Sequence, residues 1–122
     1  MSEKIDILVI DDNSLQLEYL TDLFTRHGLT VQTLDDSTMA LDTMLKVAPR
    51  LVILDLMMPQ LDGFTVLKRL RENKSLTDIP VIIYTGKLFP IDKRKAQKLG
   101  ANSYLVKPVK GSVLVNEVRK YI

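Results

Sequence analysis

The sequence predicts an α/β fold, a parallel sheet of five strands with helices on both faces. First, short apolar runs alternate with amphipathic segments five times along the chain, which with short loops is typical of parallel β-α-β units. Second, the central run Leu51–Leu54 contains no polar residue, as expected of a strand buried on both faces. Third, 122 residues with 46% hydrophobic composition suffice for one core. We therefore expect one domain over residues 1–122, without an output domain.

The first unit is a predicted strand from Ile5 to Ile10, interrupted only by Asp6, and the helix that follows it. Asn13 or Ser14 can cap this helix, because both side chains accept hydrogen bonds from free backbone N–H groups. Gly28 is typical of a helix end. The apolar stripe of the helix consists of Leu17, Leu20, Leu23 and Phe24.

The second unit combines a short outer strand with a short helix. Residues from Thr30 to Leu34 alternate in polarity, which favours a strand. Ser37 is a suitable amino-terminal cap for the next helix, and Pro49 closes it. The predicted inward residues of this helix are Leu41, Met44 and Leu45.

The third unit contains the central strand, which delivers a single carboxylate, Asp55, at its end. Pro59 and the segment 61–63 then force a sharp turn. The helix after the turn is predicted to face inward with Phe64, Leu67 and Leu70. Its outer residues are predicted to be Lys68, Arg69, Arg71 and Glu72.

The last two units run from Val81 to the end of the chain. The strands are predicted at 81–84 and 103–106, and a helix between them begins near Pro90 and ends at Gly100. The apolar face of that helix is thin (Ile91, Ala96, Leu99), so we expect it to be the most mobile helix. The final helix presents Leu114, Val118, Tyr121 and Ile122 on one side.

Composition excludes several classes of function. The chain has no cysteine, so thiol catalysis and thiolate metal sites are excluded, and a reducing cytoplasm is favoured. No apolar run approaches the roughly twenty residues of a membrane span. The formal net charge of +2 does not favour nucleic acid. From Lys87 onward, however, nine basic residues face only two acids, Asp92 and Glu117. This excess is either a solvated surface or a docking face for an acidic partner.

Polar residues of chemical interest all follow predicted strands. Asp11 and Asp12 follow the first strand, Asp55 the third, Thr85 the fourth and Lys107 the fifth. Because parallel strands end at the same edge of a sheet, we expect these five side chains to gather there.

This set has the composition of a phosphoryl-accepting site. Three carboxylates repel one another, and a divalent cation such as Mg²⁺ would relieve that repulsion. A carboxylate oxygen can act as a nucleophile and form an aspartyl phosphate. Lys107 would neutralise further charge, and the Thr85 hydroxyl could donate to a phosphoryl oxygen.

Several short motifs occur in a fixed order along the chain: Asp11-Asp12, Asp55 with Met58-Pro59 and Asp62-Gly63 downstream, Thr85-Gly86, and Tyr104 before Lys107-Pro108. As an ordered set covering almost the whole chain, they resemble the receiver domain of two-component response regulators. The resemblance implies the flavodoxin-like strand order 2-1-3-4-5.

The resemblance also implies a phosphoacceptor and a metal site. Asp55 would accept a phosphoryl group from a histidine kinase or a histidine phosphotransfer protein. Asp12, Asp55 and the backbone carbonyl of Met57 would bind Mg²⁺, with Asp11 acting through a metal-bound water.

A switch is implied as well. Lys107 would pair with the phosphoryl oxygens, Thr85 would move toward the phosphate, and Tyr104 would turn inward behind it. The surface of the fourth helix, last strand and last helix would then change, contacting an effector, an output domain or a second copy. The domain itself would bind neither nucleic acid nor membrane.

Some positions depart from the family pattern. Gly86 stands where alanine is usual and keeps the approach to Asp55 open. Met57 and Lys87 occupy positions that tune dephosphorylation. Met57 cannot orient an attacking water through a hydrogen bond, so we expect slow self-dephosphorylation. Val109 replaces a commoner aromatic residue.

Other functions remain open at this stage. The main alternative is a degenerate receiver that acts as a phosphorylation-independent binding module. An aspartate-based phosphatase is disfavoured because Met57 stands where a second acid is needed, and a flavin site because Asp11 and Asp12 would repel a phosphate. His27, the only histidine, is interpreted as structural.

Overall fold

The computed structural model describes residues 4–122, and every predicted element is present in it. In chain order the elements are β1 (Ile7–Ile10), α1 (Ser14–Arg26), β2 (Val31–Leu34), a 3₁₀ turn (Ser37–Met39), α2 (Ala40–Val47), β3 (Leu51–Leu54), α3 (Gly63–Glu72), β4 (Val81–Thr85), α4 (Pro90–Lys98), β5 (Ser103–Val106) and α5 (Gly111–Arg119).

The strands form one parallel sheet in the order β2-β1-β3-β4-β5, which confirms the predicted topology. The order reverses between β1 and β3, which are neighbours although β2 lies between them in sequence. Asp11 directly follows β1 and Asp55 directly follows β3. The topology therefore opens a crevice at the carboxyl ends of these two strands, the usual ligand position in open α/β sheets.

Alternate residues of the central strands enter two separate cores, because successive side chains point to opposite faces of a sheet. Leu8, Ile10, Val52 and Leu54 pack with residues of α2, α3 and α4. On the other face, strand residues such as Ile7 and Val9 pack with α1 and α5. β1 and β3 are buried along their whole length, so they hold the site-bearing loops on rigid supports.

The helix starts show one correct and one wrong prediction. Asn13 caps α1 by accepting a hydrogen bond from the Gln16 backbone N–H at 3.1 Å. Ser37, by contrast, is not the cap of α2. Asp36 caps the 3₁₀ turn, and buried Ser37 instead accepts a hydrogen bond from the Leu61 backbone N–H at 2.9 Å. Its hydroxyl thus ties the loop after β2 to the loop after β3.

Two other helix faces differ from the prediction. Leu45 is half exposed, so Ala40 and Met44 make the buried face of α2. In α3, Val66 is buried with Leu67 and Leu70, while Phe64 is only partly buried at the margin of the core.

The sequence predicts Arg71 on the outer face of α3, but its guanidinium reaches the loops that precede β4 and β5. It donates to the carbonyls of Gly100, Thr77 and Ile79 and to the side-chain oxygen of Asn102. A cation at this point satisfies loop carbonyls that no helix or strand reaches.

α4 has the fewest buried residues of the five α-helices. Only Ala96 is fully buried, Leu99 is partly buried, and Ile91 is 67% exposed rather than packed inward. Its mobility stays a prediction. Among residues 4–122, no helix has the length and apolar character that crossing a membrane requires.

Candidate functional site

Lys107 joins the ends of β1, β3 and β5 through its ammonium group. Its Nζ atom lies 2.6 Å from Oδ2 of Asp11 and 2.9 Å from Oδ2 of Asp55. Both carboxylates are buried, whereas 23% of the lysine side chain is exposed. One cation therefore bridges two carboxylates that follow neighbouring strands.

Asp12 completes the acidic cluster from the solvent side. Asp11, Asp12 and Asp55 each offer a carboxylate oxygen, and these oxygens all lie within 4.8 Å of one another. Asp12 is exposed, so the cluster opens to solvent at that residue. The predicted gathering of these carboxylates with Lys107 is observed, and their chemical roles stay predictions.

Local backbone geometry fixes the two buried carboxylates. Oδ1 of Asp11 accepts from the Asn13 backbone N–H at 2.9 Å, and Oδ1 of Asp55 accepts from the Met57 backbone N–H at 3.0 Å. Such side-chain to backbone bonds two residues ahead are typical of aspartate in turns. Each carboxylate therefore points one oxygen back at its own loop and the other at Lys107.

Gly63 allows the loop after β3 to close tightly against Asp55. A Cβ atom at this position would lie 2.7 Å from Leu56 Cα and would collide with the Asp55 backbone carbonyl. The Gly63 N–H also donates to the Leu56 carbonyl at 3.1 Å. Asp62 caps α3 by accepting from the Thr65 N–H and hydroxyl. Gly63 is thus needed for the close backbone approach, and Asp62 begins the helix that follows.

Thr85 and Tyr104 frame the other side of the site. Thr85 is fully buried at the end of β4. Its Oγ1 accepts a long hydrogen bond of 3.4 Å from the Lys87 backbone N–H. The Tyr104 hydroxyl donates to the Lys87 carbonyl at 2.8 Å. Lys87 also approaches Asp92 of α4 at 4.0 Å. The loop between β4 and α4 is therefore attached to both predicted switch residues.

Electrostatics keep Lys107 charged. Burial alone would lower the pKa of its ammonium, but the hydrogen bonds to Asp11 and Asp55, with the attraction of both charges, outweigh burial and raise the pKa above its ordinary value. The lysine is therefore a permanent cation at physiological pH.

The pKa of the Tyr104 hydroxyl is also raised, first by burial and then by the negative charges of Asp92 and Asp55. This tyrosine stays neutral and acts as a hydrogen-bond donor.

The donor set suits a hard divalent cation. Carboxylate oxygens with an opening to water are what Mg²⁺ prefers, because it retains several waters and uses few protein ligands. Asp12 is exposed and makes no ion pair with any residue between 4 and 122, so its oxygens are available. Asp11, Asp12 and Asp55 could therefore hold Mg²⁺ without disturbing the sheet.

Gly86 and Met57 lie next to each other at the mouth of the site. A Cβ atom at Gly86 would meet only Met57 Sδ, at 3.9 Å, which is ordinary van der Waals contact. The site would thus accommodate alanine at this position. Met57 itself is 54% exposed.

Sequence reasoning missed Tyr84. Its ring centroid lies 5.7 Å from Lys107 Nζ, and its hydroxyl accepts from the Val109 N–H at 3.2 Å, after the cis Lys107–Pro108 bond. It thus supports the loop that presents Lys107. An available signal was its hydroxyl within the otherwise aliphatic run 81–84.

Comparison with known proteins gives the family. The model of the response regulator receiver domain matches residues 7–119. The chain therefore belongs to the receiver-domain family of response regulators, the signalling proteins of two-component systems.

Individual relatives agree with this membership. The chain is 34% identical over 113 residues to the DNA-binding response regulator MtrA of Mycobacterium tuberculosis, covering 93% of this chain and 48% of MtrA. It thus spans about half the length of the MtrA relatives it matches.

Solved structures agree with the fold. The signal receiver domain of a histidine kinase from Syntrophus aciditrophicus superposes with a TM-score of 0.87 at 28% identity, covering 95% of this chain and 88% of that one. Chemotaxis protein CheY4 of Vibrio cholerae has a TM-score of 0.91 at 24% identity, with 98% and 100% coverage, and supports the fold alone.

Proposed function

We propose that residues 1–122 act as a receiver in which Asp55 accepts a phosphoryl group from a histidine kinase or a histidine phosphotransfer protein. The observation that carries the proposal is the Lys107 ammonium held between Asp55 and Asp11, with Asp12 alongside. A structural ion pair needs one carboxylate, whereas a transferred phosphoryl group needs a nucleophile, a cation opposite and a further positive charge.

In the proposed reaction Asp55 is the nucleophile. The P–N bond of a phosphohistidine breaks, and a P–O bond forms to a carboxylate oxygen of Asp55. The electron pair of the broken bond stays on the imidazole nitrogen, and the ring takes up a proton from water. The product is an aspartyl phosphate, and no oxidant or reductant is required.

Charge compensation is divided among several groups. When bound, Mg²⁺ would neutralise part of the phosphoryl charge and orient the incoming group. Asp12, Asp55 and the Met57 carbonyl would hold it, with Asp11 acting through a water. Lys107 would release its bond to Asp55 Oδ2 and pair with the phosphoryl oxygens while keeping its bond to Asp11.

The switch follows from the attachments of the loop between β4 and α4. If Thr85 moves to donate to a phosphoryl oxygen, its contact with the Lys87 N–H at 3.4 Å must change. The backbone carbonyl of Lys87 accepts the hydrogen bond from the Tyr104 hydroxyl. We therefore expect phosphorylation to rearrange the surface formed by α4, β5 and α5, where an effector, an output domain or a second copy would bind.

The phosphorylated form should persist because Met57 offers no hydrogen-bonding group to an attacking water. We expect Met57→Asn to shorten the lifetime of the aspartyl phosphate, measured by the decay of phosphoprotein after removal of the donor. Equal lifetimes, or a longer one in Met57→Asn, would contradict this role. Lys87→Ala tests the second tuning position in the same assay.

The proposed setting is that of a signalling protein in the cytoplasm, where the absence of cysteine suits reducing conditions. Self-phosphorylation from small donors and slow self-dephosphorylation would be its only reactions. The domain itself would contact protein partners and would bind neither DNA nor membrane.

The proposal is tested by incubating the chain with a small-molecule phosphodonor and Mg²⁺ and measuring its intact mass. The expected result is a gain of one phosphoryl group that is absent in Asp55→Asn. Asp42→Asn removes an exposed carboxylate of α2 and serves as the matched control, which should gain the group normally. A wild-type chain that never gains the mass, or an Asp55→Asn variant that does, would rule the proposal out.

A further inference from the structure

A groove between α3 and α4 lies outside the carboxylate cluster and shares no residue with it. Two adjoining depressions of about 470 and 340 Å³ have Lys95 and Leu99 in common. Their apolar surface comes from Ile91 and Leu99 of the α4 region and from Phe64 of α3. We call this surface, together with the basic residues around it, the α3–α4 groove.

The apolar part of the α3–α4 groove is partly exposed to solvent. Ile91 is 67% exposed, while Phe64 and Leu99 are partly buried against the core. Ile91 heads the face of α4 on which residues 94, 95 and 98 follow at helical spacing. An exposed apolar side chain next to basic residues, lining a depression, is typical of a binding surface.

Four cations surround this apolar surface: Lys68 of α3 and Arg94, Lys95 and Lys98 of α4. All four are exposed, and none lies within 4.0 Å of a carboxylate in the part of the chain from residue 4 to 122. The one acid in the groove, Asp62, is engaged as the cap of α3. The groove therefore carries an uncompensated positive charge.

We propose that the α3–α4 groove binds an acidic amphipathic helix of a partner protein. The carboxylates of the partner helix would pair with four basic residues of the groove, Lys68, Arg94, Lys95 and Lys98. One or two apolar side chains of the same helix would contact Ile91 and Leu99. A helix in a groove between two helices is a recurring mode of recognition, with apolar anchors at positions i and i+4. The wall from Ile91 to Lys98 is about 10 Å long, which matches two turns of the partner.

The other classes of occupant fit less well. Single-stranded nucleic acid stacks its bases on exposed aromatic faces, but Lys95 Nζ already lies 4.3 Å above the Phe64 ring centroid. A second copy that docked symmetrically through this groove would bring the same four cations together, which is repulsive. An acidic protein segment satisfies both the charge and the apolar surface.

The experiment uses the ¹⁵N-labelled chain and a pool of acidic amphipathic peptides of about 12 residues with leucine or phenylalanine anchors. The expected result is a saturable change in the amide shifts of Phe64, Ile91, Lys95 and Leu99. The same pool with lysine in place of every glutamate should leave these shifts unchanged. The titration uses the unphosphorylated chain, and the groove shares no residue with the carboxylate cluster, so its outcome does not depend on whether Asp55 can accept a phosphoryl group.

Charge-reversal variants provide the matched comparison. Arg94→Glu with Lys98→Glu should weaken binding about tenfold, since two attractive pairs become repulsive. Lys74→Glu with Lys110→Glu makes the same change in net charge outside the groove and should leave the affinity within about twofold. All four sites are exposed, and circular dichroism verifies the fold of each variant.

Several results would overturn the proposal. These are an absence of saturable shifts, shifts confined to another surface, and equal weakening in both double variants. Two more name the rival occupants. Shifts of the groove residues that grow with protein concentration alone would indicate a second copy, and stronger binding by a short DNA than by the peptides would indicate nucleic acid.

Discussion

At the amino-terminal edge of the sheet, Asp6 pairs with Arg50 at 3.1 Å. At the carboxyl-terminal edge, the Lys107 ammonium bridges Asp11 and Asp55, and Asp12 adds a third carboxylate to the cluster. Asp6 also accepts from the Thr30 N–H at 2.9 Å, and its own N–H donates to the Thr30 hydroxyl. This reciprocal arrangement leaves no excess charge and joins the starts of β1, β2 and β3.

At the same edge, Arg71 connects the loops that lead into β4 and β5. Its guanidinium makes five hydrogen bonds of 2.6 to 3.0 Å to groups next to the starts of β4 and β5. One acceptor, the Asn102 side chain, also receives the Val81 N–H at 2.8 Å. Charged groups at this edge therefore serve to connect strands and loops.

The charged groups at the two edges differ in what they do: those at the amino-terminal edge stabilise the fold, and those at the carboxyl-terminal edge form the candidate site. At the amino-terminal edge each charge is met by an opposite charge or by loop dipoles, so the arrangement needs nothing from outside. At the carboxyl-terminal edge like charges are concentrated, which costs free energy until a cation or a phosphoryl group changes the balance. Substitutions at the two edges should accordingly respond differently to Mg²⁺.

The largest effect is expected for Arg71→Met. Loss of the guanidinium leaves the carbonyls of Gly100 and Ile79 without their donor, so the free energy of unfolding should fall by about 3 kcal/mol, with or without Mg²⁺. Urea unfolding followed by circular dichroism measures the change. Arg69→Met, on the exposed face of the same helix, should cost less than about 0.5 kcal/mol. Equal stabilities of the two variants would show that the hydrogen bonds of Arg71 do not stabilise the fold.

Lys107→Met should have an intermediate effect that depends on Mg²⁺. In the presence of a chelator the variant leaves Asp11 and Asp55 facing each other without a cation, and we expect a loss of about 2 kcal/mol, since the pair is only partly exposed. Mg²⁺ at about 100 times its dissociation constant stabilises a folded protein by about 2.7 kcal/mol. Adding it should therefore bring the free energy of unfolding of Lys107→Met close to that of the wild type measured with chelator.

The control for this experiment is Lys110→Met, which removes an exposed ammonium nearby. Its stability should match the wild type with and without Mg²⁺. If Lys107→Met is destabilised and Mg²⁺ does not raise its free energy of unfolding, the carboxylates do not form a cation site. The proposed difference between the two edges of the sheet would then be wrong.

The smallest effect is expected for Asp6→Asn, which should cost about 1 kcal/mol at neutral pH. The pKa of Asp6 is lowered, first by the hydrogen bond from the Thr30 backbone and then, against burial, by Arg50. A lowered folded-state pKa stabilises the protein above the unfolded value of about 3.9, and this contribution disappears as the pH falls through the folded value.

The difference in stability between wild type and Asp6→Asn should therefore be constant at neutral pH and vanish in acid. Asp35→Asn, an exposed substitution, provides the baseline. A difference that grows toward low pH would contradict the assigned role of Asp6.

Sequence patterns predicted the carboxyl-terminal edge better than the amino-terminal edge, for a physical reason. Asp11, Asp55 and Lys107 each follow an apolar run directly, and parallel pairing brings strand ends together whatever the loops do. Their contacts through Lys107 are thus a consequence of topology. The alternation of apolar runs likewise predicted all five strands.

Residues that fold back across loops could not be predicted in this way. Arg71 occupies a position on α3 that helical periodicity assigns to solvent, yet a long side chain can reach carbonyls around a helix end. Ser37 was mistaken for a cap because its hydroxyl binds a loop distant in sequence rather than the adjacent helix. Ile91 follows the apolar spacing of α4 but lies beyond the edge of the core.

The most direct test of the account is to locate the modified residue after phosphorylation by a small-molecule donor. Reductive trapping of the acyl phosphate with borohydride, followed by tandem mass spectrometry of the digested protein, identifies the acceptor. The account predicts modification of Asp55 alone, in the presence of Mg²⁺ and not with a chelator. Modification of His27, of Asp11 or of Asp12 instead, or an equal yield without divalent cation, would contradict it.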